Sequence, residues 1–155
     1  MMLSAIIIDD EQKGRMALKQ KIQDYCPTVE VIGEASDGAE GIALIEKVKP
    51  QVLFLDIEMP RMDGFEMLRK IDHKDFHIVF TTAYDQYAIK AIKYAAFDYL
   101  LKPVDIDELK SAVEKISAHV SQNFTEKKLE TLEHNLHSIH RLNKIAVPTL
   151  EGFLF

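Results

Sequence analysis

Short runs of aliphatic and aromatic residues alternate along the chain with longer segments of helical periodicity. Four of the five runs are apolar almost throughout, which is typical of strands buried on both faces of a parallel sheet. The predicted strands are Ser4–Ile8, Glu30–Ala35, Val52–Leu55, Ile78–Thr81 and Phe97–Leu101.

Between these strands, apolar residues recur at intervals of three or four, as on one face of a helix. Asp37 is a candidate N-cap, with Glu40 three residues later at capping-box spacing. Strand–helix units in succession predict a doubly wound α/β fold. The apolar stripes are Met16, Leu18 and Ile22; Ile42, Ile45 and Val48; Phe65, Leu68 and Ile71; and Ala88, Ile92 and Ala95.

The last predicted helix begins near Asp105, with Asp105 or Asp107 as its cap. Its apolar pattern weakens at residues 122–125 and then resumes with alternating spacings of three and four, as in a short coiled-coil seam. We expect a linker helix over residues 123–143 that can pair with a second copy. The two stripes are Leu109, Val113, Ile116 and Val120, then Leu129, Leu132, Leu136 and Ile139.

Composition narrows the class of protein. The 155 residues are 47% hydrophobic and 28% charged, which suits one globular domain with an appendage. The net charge of −6 argues against this chain gripping a nucleic-acid backbone by itself. Cys26 is the single cysteine, so no internal disulfide can form and a reducing cytoplasm is expected. No apolar run approaches the length of a membrane span, so we expect no membrane partner.

Polar residues follow four of the predicted strands. Asp9 and Asp10 come after the first, Asp56 after the third, Thr82 after the fourth and Lys102 after the fifth. Because an open α/β sheet binds ligands beyond the carboxyl ends of its strands, we expect these groups to share one rim.

Carboxylates that converge on one pocket repel each other unless a proton or a cation intervenes. A hard divalent cation such as Mg²⁺ suits such oxygen ligands and also binds phosphate oxygens. Asp56 is then a candidate nucleophile for a phosphoryl group, with Lys102 and Thr82 stabilising its oxygens. Gly64, after Asp63, is interpreted as a turn residue that begins a helix.

The motifs that carry this chemistry resemble those of response-regulator receiver domains. The resemblance implies a flavodoxin-like five-stranded parallel sheet of order 2-1-3-4-5 and phosphorylation by a sensor histidine kinase. The matching segments are Ile6–Glu11, Leu53–Pro60, Asp63–Gly64, Thr82–Ala83 and Asp98–Pro103.

The resemblance also implies a role for each rim residue. Asp10 and Asp56 are metal ligands for Mg²⁺ or Mn²⁺, Asp9 acts through water, and the backbone carbonyl of Glu58 is a further contact. Thr82 and Tyr99 match the family's switch pair, and the Lys102–Pro103 bond is expected to be cis. Such a domain is a phosphoacceptor switch that catalyses only its own phosphorylation and dephosphorylation.

A second resemblance concerns the output. The segment Phe80–Ala91 is similar to the receivers of LytTR-type (LytR/AlgR-like) transcription regulators, and Ile145–Phe155 is similar to the first strands of their DNA-binding domain. We therefore expect a receiver at residues 1–122, the linker helix at 123–143, and a truncated DNA-binding domain at 144–155. DNA would be bound through the missing part of that domain.

Other functions explain the residues less well. A pseudo-receiver that never accepts phosphate conflicts with the intact acceptor set. A haloacid-type phosphatase requires an Asp-x-Asp-x-Thr motif after the first strand, and a dinucleotide oxidoreductase requires a glycine-rich turn there; neither is present. His134, His137 and His140 drift around a helix too far for one metal site. We also hypothesise that Tyr84 and Glu58 hinder the hydrolytic water and prolong phosphorylation.

Overall fold

A computed structural model describes residues 2–72, 75–93 and 96–139, where strands and α-helices alternate. A 3₁₀ turn at Asp85–Tyr87 precedes α4. The predicted strands are confirmed to within one residue at each end. The elements are β1 (Leu3–Ile8), α1 (Gln12–Tyr25), β2 (Val29–Ala35), α2 (Gly38–Val48), β3 (Val52–Asp56), α3 (Gly64–Arg69), β4 (His77–Thr82), α4 (Ala88–Lys93), β5 (Asp98–Leu101) and α5 (Ile106–Ile139).

All strand pairs are parallel, and the sheet has the order β2-β1-β3-β4-β5. The predicted flavodoxin-like arrangement is therefore confirmed. The order reverses between β1 and β3, which are hydrogen-bonded neighbours. In doubly wound folds a ligand crevice lies at this reversal, beyond the carboxyl ends of the two strands.

The three central strands form the core, because helices cover both of their faces. Ile6 of β1, Leu53 of β3 and Phe80 of β4 are all fully buried. The edge strand β2 instead alternates between buried and exposed residues. The near-continuous apolar runs of β1, β3 and β4 thus follow from their burial on both faces.

Side-chain caps fix the starts of three helices. Asp37 accepts a hydrogen bond of 2.8 Å from the backbone of Glu40, as predicted for α2. Asp105, the first of the two predicted candidates, accepts one of 3.0 Å from Glu108 and caps α5. Asp63 caps α3 in the same way. These bonds satisfy backbone N–H groups that have no partner within the helix.

Two predicted helical faces were wrong in part. Met16 was placed on the buried stripe of α1, but it is 61% exposed, and Leu18 and Ile22 are the buried residues. Ile92 was placed on the buried stripe of α4, but it is 75% exposed and Ala91 is buried instead. Three apolar residues in one helix do not determine which of them faces the sheet, and Met16 and Leu18, two residues apart, cannot share a helix face.

The chain divides into two compact units, Met1–Ser117 and Ala118–Phe155. The described part of the second unit is the continuation of α5, in which Leu129 and Leu132 are exposed. The predicted linker helix is thus helical as far as Ile139. The predictions for residues 140–155 lie outside the described residues, so the domain boundaries stay predictions. Among the described helices, none combines the length and the apolar character needed to cross a bilayer.

Replacing Ile6 with alanine should destabilise the domain, because Ile6 is fully buried in a central strand. We expect the free energy of unfolding in urea to fall by about 2–5 kcal/mol, since the lost methyl groups leave a cavity. Ile32→Ala is the matched control in edge strand β2, where the side chain is 38% exposed. An equal loss in both variants would contradict this account of the core.

Candidate functional site

Three acidic residues meet at the switch point of the sheet. Asp9 and Asp10 follow β1, and Asp56 is the last residue of β3. One carboxylate oxygen from each lies within 4.8 Å of those of the other two. Asp9 is only 2% exposed and Asp56 only 4%, whereas Asp10 is half-buried. The predicted acidic rim is therefore present, and two of its carboxyl groups are almost withdrawn from solvent.

Lys102 brings a positive charge between the two buried acids. Its Nζ lies 2.7 Å from Oδ2 of Asp9 and 3.1 Å from Oδ2 of Asp56. The backbone N–H of Lys102 donates to the carbonyl of Thr82, which attaches the end of β5 to that of β4. The Lys102–Pro103 peptide bond is cis, as expected from the family resemblance.

The electrostatic balance of this cluster is visible in the pKa of Asp56. Burial raises that pKa from its ordinary value of 3.8 to about 7. The charge of Lys102 opposes this increase, and the charge of Asp9 adds to it. Burial also lowers the pKa of Lys102, but the hydrogen bond to Asp9 and the charges of both acids outweigh it, so the net pKa is raised. One ammonium thus only partly balances the carboxylates.

Thr82 and Tyr99 are connected through the backbone of Tyr84. Oγ1 of fully buried Thr82 accepts a hydrogen bond of 3.2 Å from the N–H of Tyr84. The Tyr99 hydroxyl donates to the carbonyl of the same residue. The two predicted switch residues therefore hold opposite groups of Tyr84.

A second connection joins the loop after β3 to the turn before α4. The Tyr87 hydroxyl donates to a carboxylate oxygen of Glu58 at 2.5 Å, which raises the pKa of Tyr87. The Tyr87 ring also packs against Phe65 and Tyr84, with ring centroids 6.1 and 6.4 Å away. Sequence reasoning missed Tyr87, because nothing in the local pattern pairs it with Glu58.

Two glycines permit close packing around the acids. A Cβ at Gly64 would lie 2.7 Å from the backbone oxygen of Asp56, and one at Gly14 would lie 2.8 Å from Oδ2 of Asp9. Gly64 begins α3, as predicted, and its close approach to the backbone of Asp56 leaves no room for a side chain there. Sequence reasoning missed Gly14, whose neighbour Asp9 belongs to a different element.

The family comparison agrees with this geometry. Residues 5–114 match the family model described as the response regulator receiver domain. This chain belongs to the response regulator receiver family.

The curated relatives are named as response regulatory or transcriptional regulatory proteins, and they come from several bacteria. The chain is 42% identical over 136 residues to the transcriptional regulatory protein BtsR of Escherichia coli K12, covering 86% of this chain and 54% of that protein. It is 44% identical over 132 residues to an uncharacterized response regulatory protein of Vibrio parahaemolyticus, covering 84% and 54%. This receiver chain therefore spans about half the length of the curated relatives it matches.

Solved structures show the same fold. The REC domain of AraT, a response regulator from Geobacillus stearothermophilus, matches with a TM-score of 0.70 and 34% identity, covering 79% of this chain and 98% of that one. The response regulatory domain of mrkE from Klebsiella pneumoniae matches with a TM-score of 0.70 and 29% identity, covering 77% and 99%. The matched length corresponds to the receiver alone.

The raised pKa of Asp56 predicts a pH-dependent stability. An acid whose folded-state pKa exceeds its unfolded value stabilises the protein below the unfolded pKa, and this stability is lost as the pH rises through the folded value. For Asp56 the loss falls between about pH 4 and pH 7. Asp56→Asn should therefore raise the thermal midpoint of the metal-free protein more at pH 8 than at pH 5.

The measurement is thermal unfolding in EDTA at both pH values. Asp24→Asn is the matched control, because Asp24 forms an exposed hydrogen bond with Gln20. It should leave the pH dependence of wild type unchanged. If Asp56→Asn raises the thermal midpoint more at pH 5 than at pH 8, burial does not destabilise the charged form of Asp56.

Proposed function

We propose that this receiver is the phosphoacceptor of a two-component system, phosphorylated on Asp56 by a sensor histidine kinase in a Mg²⁺-dependent reaction. The observation that carries the proposal is the contact of Lys102 with both Asp9 and Asp56 at the switch point. It puts a buried nucleophile beside a cation that can compensate the charge of an incoming phosphoryl group.

The acidic residues fit a divalent cation. Their oxygens lie close together, and carboxylate oxygens are the ligands that Mg²⁺ and Mn²⁺ prefer. Asp10 and Asp56 would bind the ion directly, Asp9 through water, and Glu58 through its backbone carbonyl. When bound, such an ion supplies positive charge that compensates the oxygens of a transferring phosphoryl group.

The chain's own groups divide the remaining work. A carboxylate oxygen of Asp56 attacks phosphorus and forms an acyl phosphate, while the bond from phosphorus to the histidine nitrogen of the kinase breaks and the histidine leaves with that electron pair. The ammonium of Lys102 stabilises the negative charge on the phosphoryl oxygens. Thr82 accepts from Tyr84, so its own hydroxyl proton is available for donation to a phosphoryl oxygen. The reaction modifies the protein itself, so the receiver acts as a switch rather than as an enzyme on an external substrate.

Tyr84 and Tyr99 would transmit the effect of phosphorylation from Thr82 to the surface of the domain. A hydroxyl of Thr82 that turns toward the phosphoryl group gives up its bond to the N–H of Tyr84. The carbonyl of Tyr84 is the acceptor for Tyr99, so the support of that ring changes as well. The surface formed by α4 and β5 would then differ between the two states.

The output we propose is LytTR-type control of transcription. Support comes from the similarity of residues 80–91 to such receivers and from the name of BtsR, a transcriptional regulatory protein of which the matched segment makes up 54%. DNA would bind to a LytTR-type output domain rather than to the receiver, while the exposed leucines of α5 suit a homodimer. Such a regulator acts in the cytoplasm.

Incubation with a small phosphodonor and Mg²⁺ should add one phosphoryl group, because Asp56 lies beside Lys102. Intact-mass measurement checks this, and Asp56→Asn or excess EDTA should abolish the addition. Asp37→Asn is the matched control, because asparagine preserves a helix cap outside the acidic cluster. A mass increase that survives in Asp56→Asn would place the chemistry elsewhere, and no increase in wild type would favour an interaction module.

Tyr84→Ala should shorten the life of the phosphorylated state. Tyr84 is 46% exposed beside the site, and its side chain can obstruct an attacking water. The loss of acyl phosphate is followed by intact mass after the donor is removed. Tyr25→Ala, which removes a similarly exposed ring from the end of α1, should decay as wild type does. Equal decay of Tyr84→Ala and wild type would refute the role of Tyr84.

A further inference from the structure

Asp9 is fixed by partners on every one of its polar groups. Its N–H donates to the carbonyl of Ala35 at 3.1 Å, and its Oδ1 accepts from the N–H of Glu11 at 2.9 Å. Oδ2 accepts from Lys102. The remaining group, the backbone carbonyl, accepts a bond of 2.7 Å from the guanidinium of Arg15. The first three partners belong to the neighbouring strand β2, to the same loop and to the acidic site. Arg15, in contrast, reaches back from α1 to the loop before it.

The guanidinium of Arg15 is itself held in place. Its side chain is only 17% exposed, and Nε lies 3.6 Å from a carboxylate oxygen of Glu34 on β2. Glu34 also pairs with the more exposed Lys19 at 3.2 Å. A charged donor makes a stronger hydrogen bond than a neutral one. The guanidinium of arginine is rigid and planar, so the side chain loses less conformational freedom per hydrogen bond than a lysine side chain does.

The carbonyl that Arg15 holds belongs to the peptide unit between Asp9 and Asp10. A peptide unit is planar, so fixing its oxygen also fixes the direction in which the Cα of Asp10 leaves. Asp10 is the half-buried member of the acidic cluster. Lys102 donates hydrogen bonds to the carboxylates of Asp9 and Asp56, and among the described contacts there is no such bond to the carboxylate of Asp10.

We infer that Arg15 is a positioning residue of the acidic cluster, which sets the orientation of the Asp9–Asp10 peptide and thereby directs Asp10 toward Asp56. The inference rests on the proposed function, because it assumes that these acids bind a divalent cation. Arg15 touches neither the ion nor the phosphoryl group. It acts through the backbone of its neighbours.

A purely structural role would give a different pattern. If Arg15 only joined α1 to β2 through Glu34, then Glu34→Gln would have the same consequences as Arg15→Met. If it positions Asp10, Glu34→Gln should retain most of the cation affinity, because the bond to the Asp9 carbonyl survives. Lys19→Met removes the exposed ion pair to Glu34 and serves as a control for surface charge.

The experiment is a titration of each 155-residue variant with Mn²⁺ alone, in which the free ion is measured by electron paramagnetic resonance. Arg15→Met should weaken Mn²⁺ binding by about tenfold or more, because substitution of a residue that positions a metal ligand typically lowers the metal affinity by that factor. Thermal unfolding in EDTA reports the structural effect separately. With a small phosphodonor, Arg15→Met should need more Mg²⁺ for half-maximal phosphorylation while nearly retaining its rate at saturating Mg²⁺.

The outcomes separate this inference from the proposed function. Mn²⁺ affinity of Arg15→Met within about twofold of wild type would overturn the inference alone, since second-sphere losses are larger than that. Equal losses in Arg15→Met and Glu34→Gln would overturn it in favour of the structural role. If Arg15→Met fails to fold, Arg15→Gln is tested instead, because the glutamine side chain is too short to replace the guanidinium. Its Mn²⁺ affinity is compared with those of wild type and Glu34→Gln in the same way. Wild type that binds no Mn²⁺ would refute the metal site itself.

Discussion

The ammonium of Lys102 lies between two carboxyl groups that are almost completely buried, and the rest of the site depends on this contact. Burying an unpaired carboxylate is costly, so Asp9 and Asp56 require a compensating charge. A single lysine compensates them incompletely, as the pKa of Asp56 near 7 shows. The receiver thus holds an excess of negative charge at one point, which a proton or a cation can relieve. That imbalance supports the phosphoacceptor role that we propose for Asp56.

The sheet creates this situation by its topology. The reversal of strand order places the ends of β1 and β3 side by side, so the acids that follow them must converge. Close packing then restricts their freedom. The backbone of Asp56 is approached by Gly64, and the side chain of Asp9 by Gly14, at distances that leave no room for a larger residue without movement. Asp9 and Asp56 are therefore held by close packing as well as by their contacts with Lys102.

The same rim is connected to the surface by two sets of hydrogen bonds. Thr82 and Tyr99 bind opposite sides of the Tyr84 backbone, while Tyr87 binds Glu58, two residues beyond Asp56. Each of these bonds ends on the segment that leads into α4, at Tyr84 or Tyr87. A rearrangement of the Thr82 hydroxyl or of the loop after β3 would therefore change the support of that segment, which is the route from site to surface that we propose.

The sequence by itself determined the strands, the fold class and the residues of the rim. A short apolar run such as Val52–Leu55 indicates a buried strand, and the polar residue that ends the run lies at the carboxyl end of that strand. It did not determine the buried faces of all the helices, as Met16 and Ile92 show. Only the tertiary structure identified the contacts of Arg15 and Tyr87 and the spatial role of Gly64. These depend on distances between atoms of different elements, which packing decides and local periodicity does not encode.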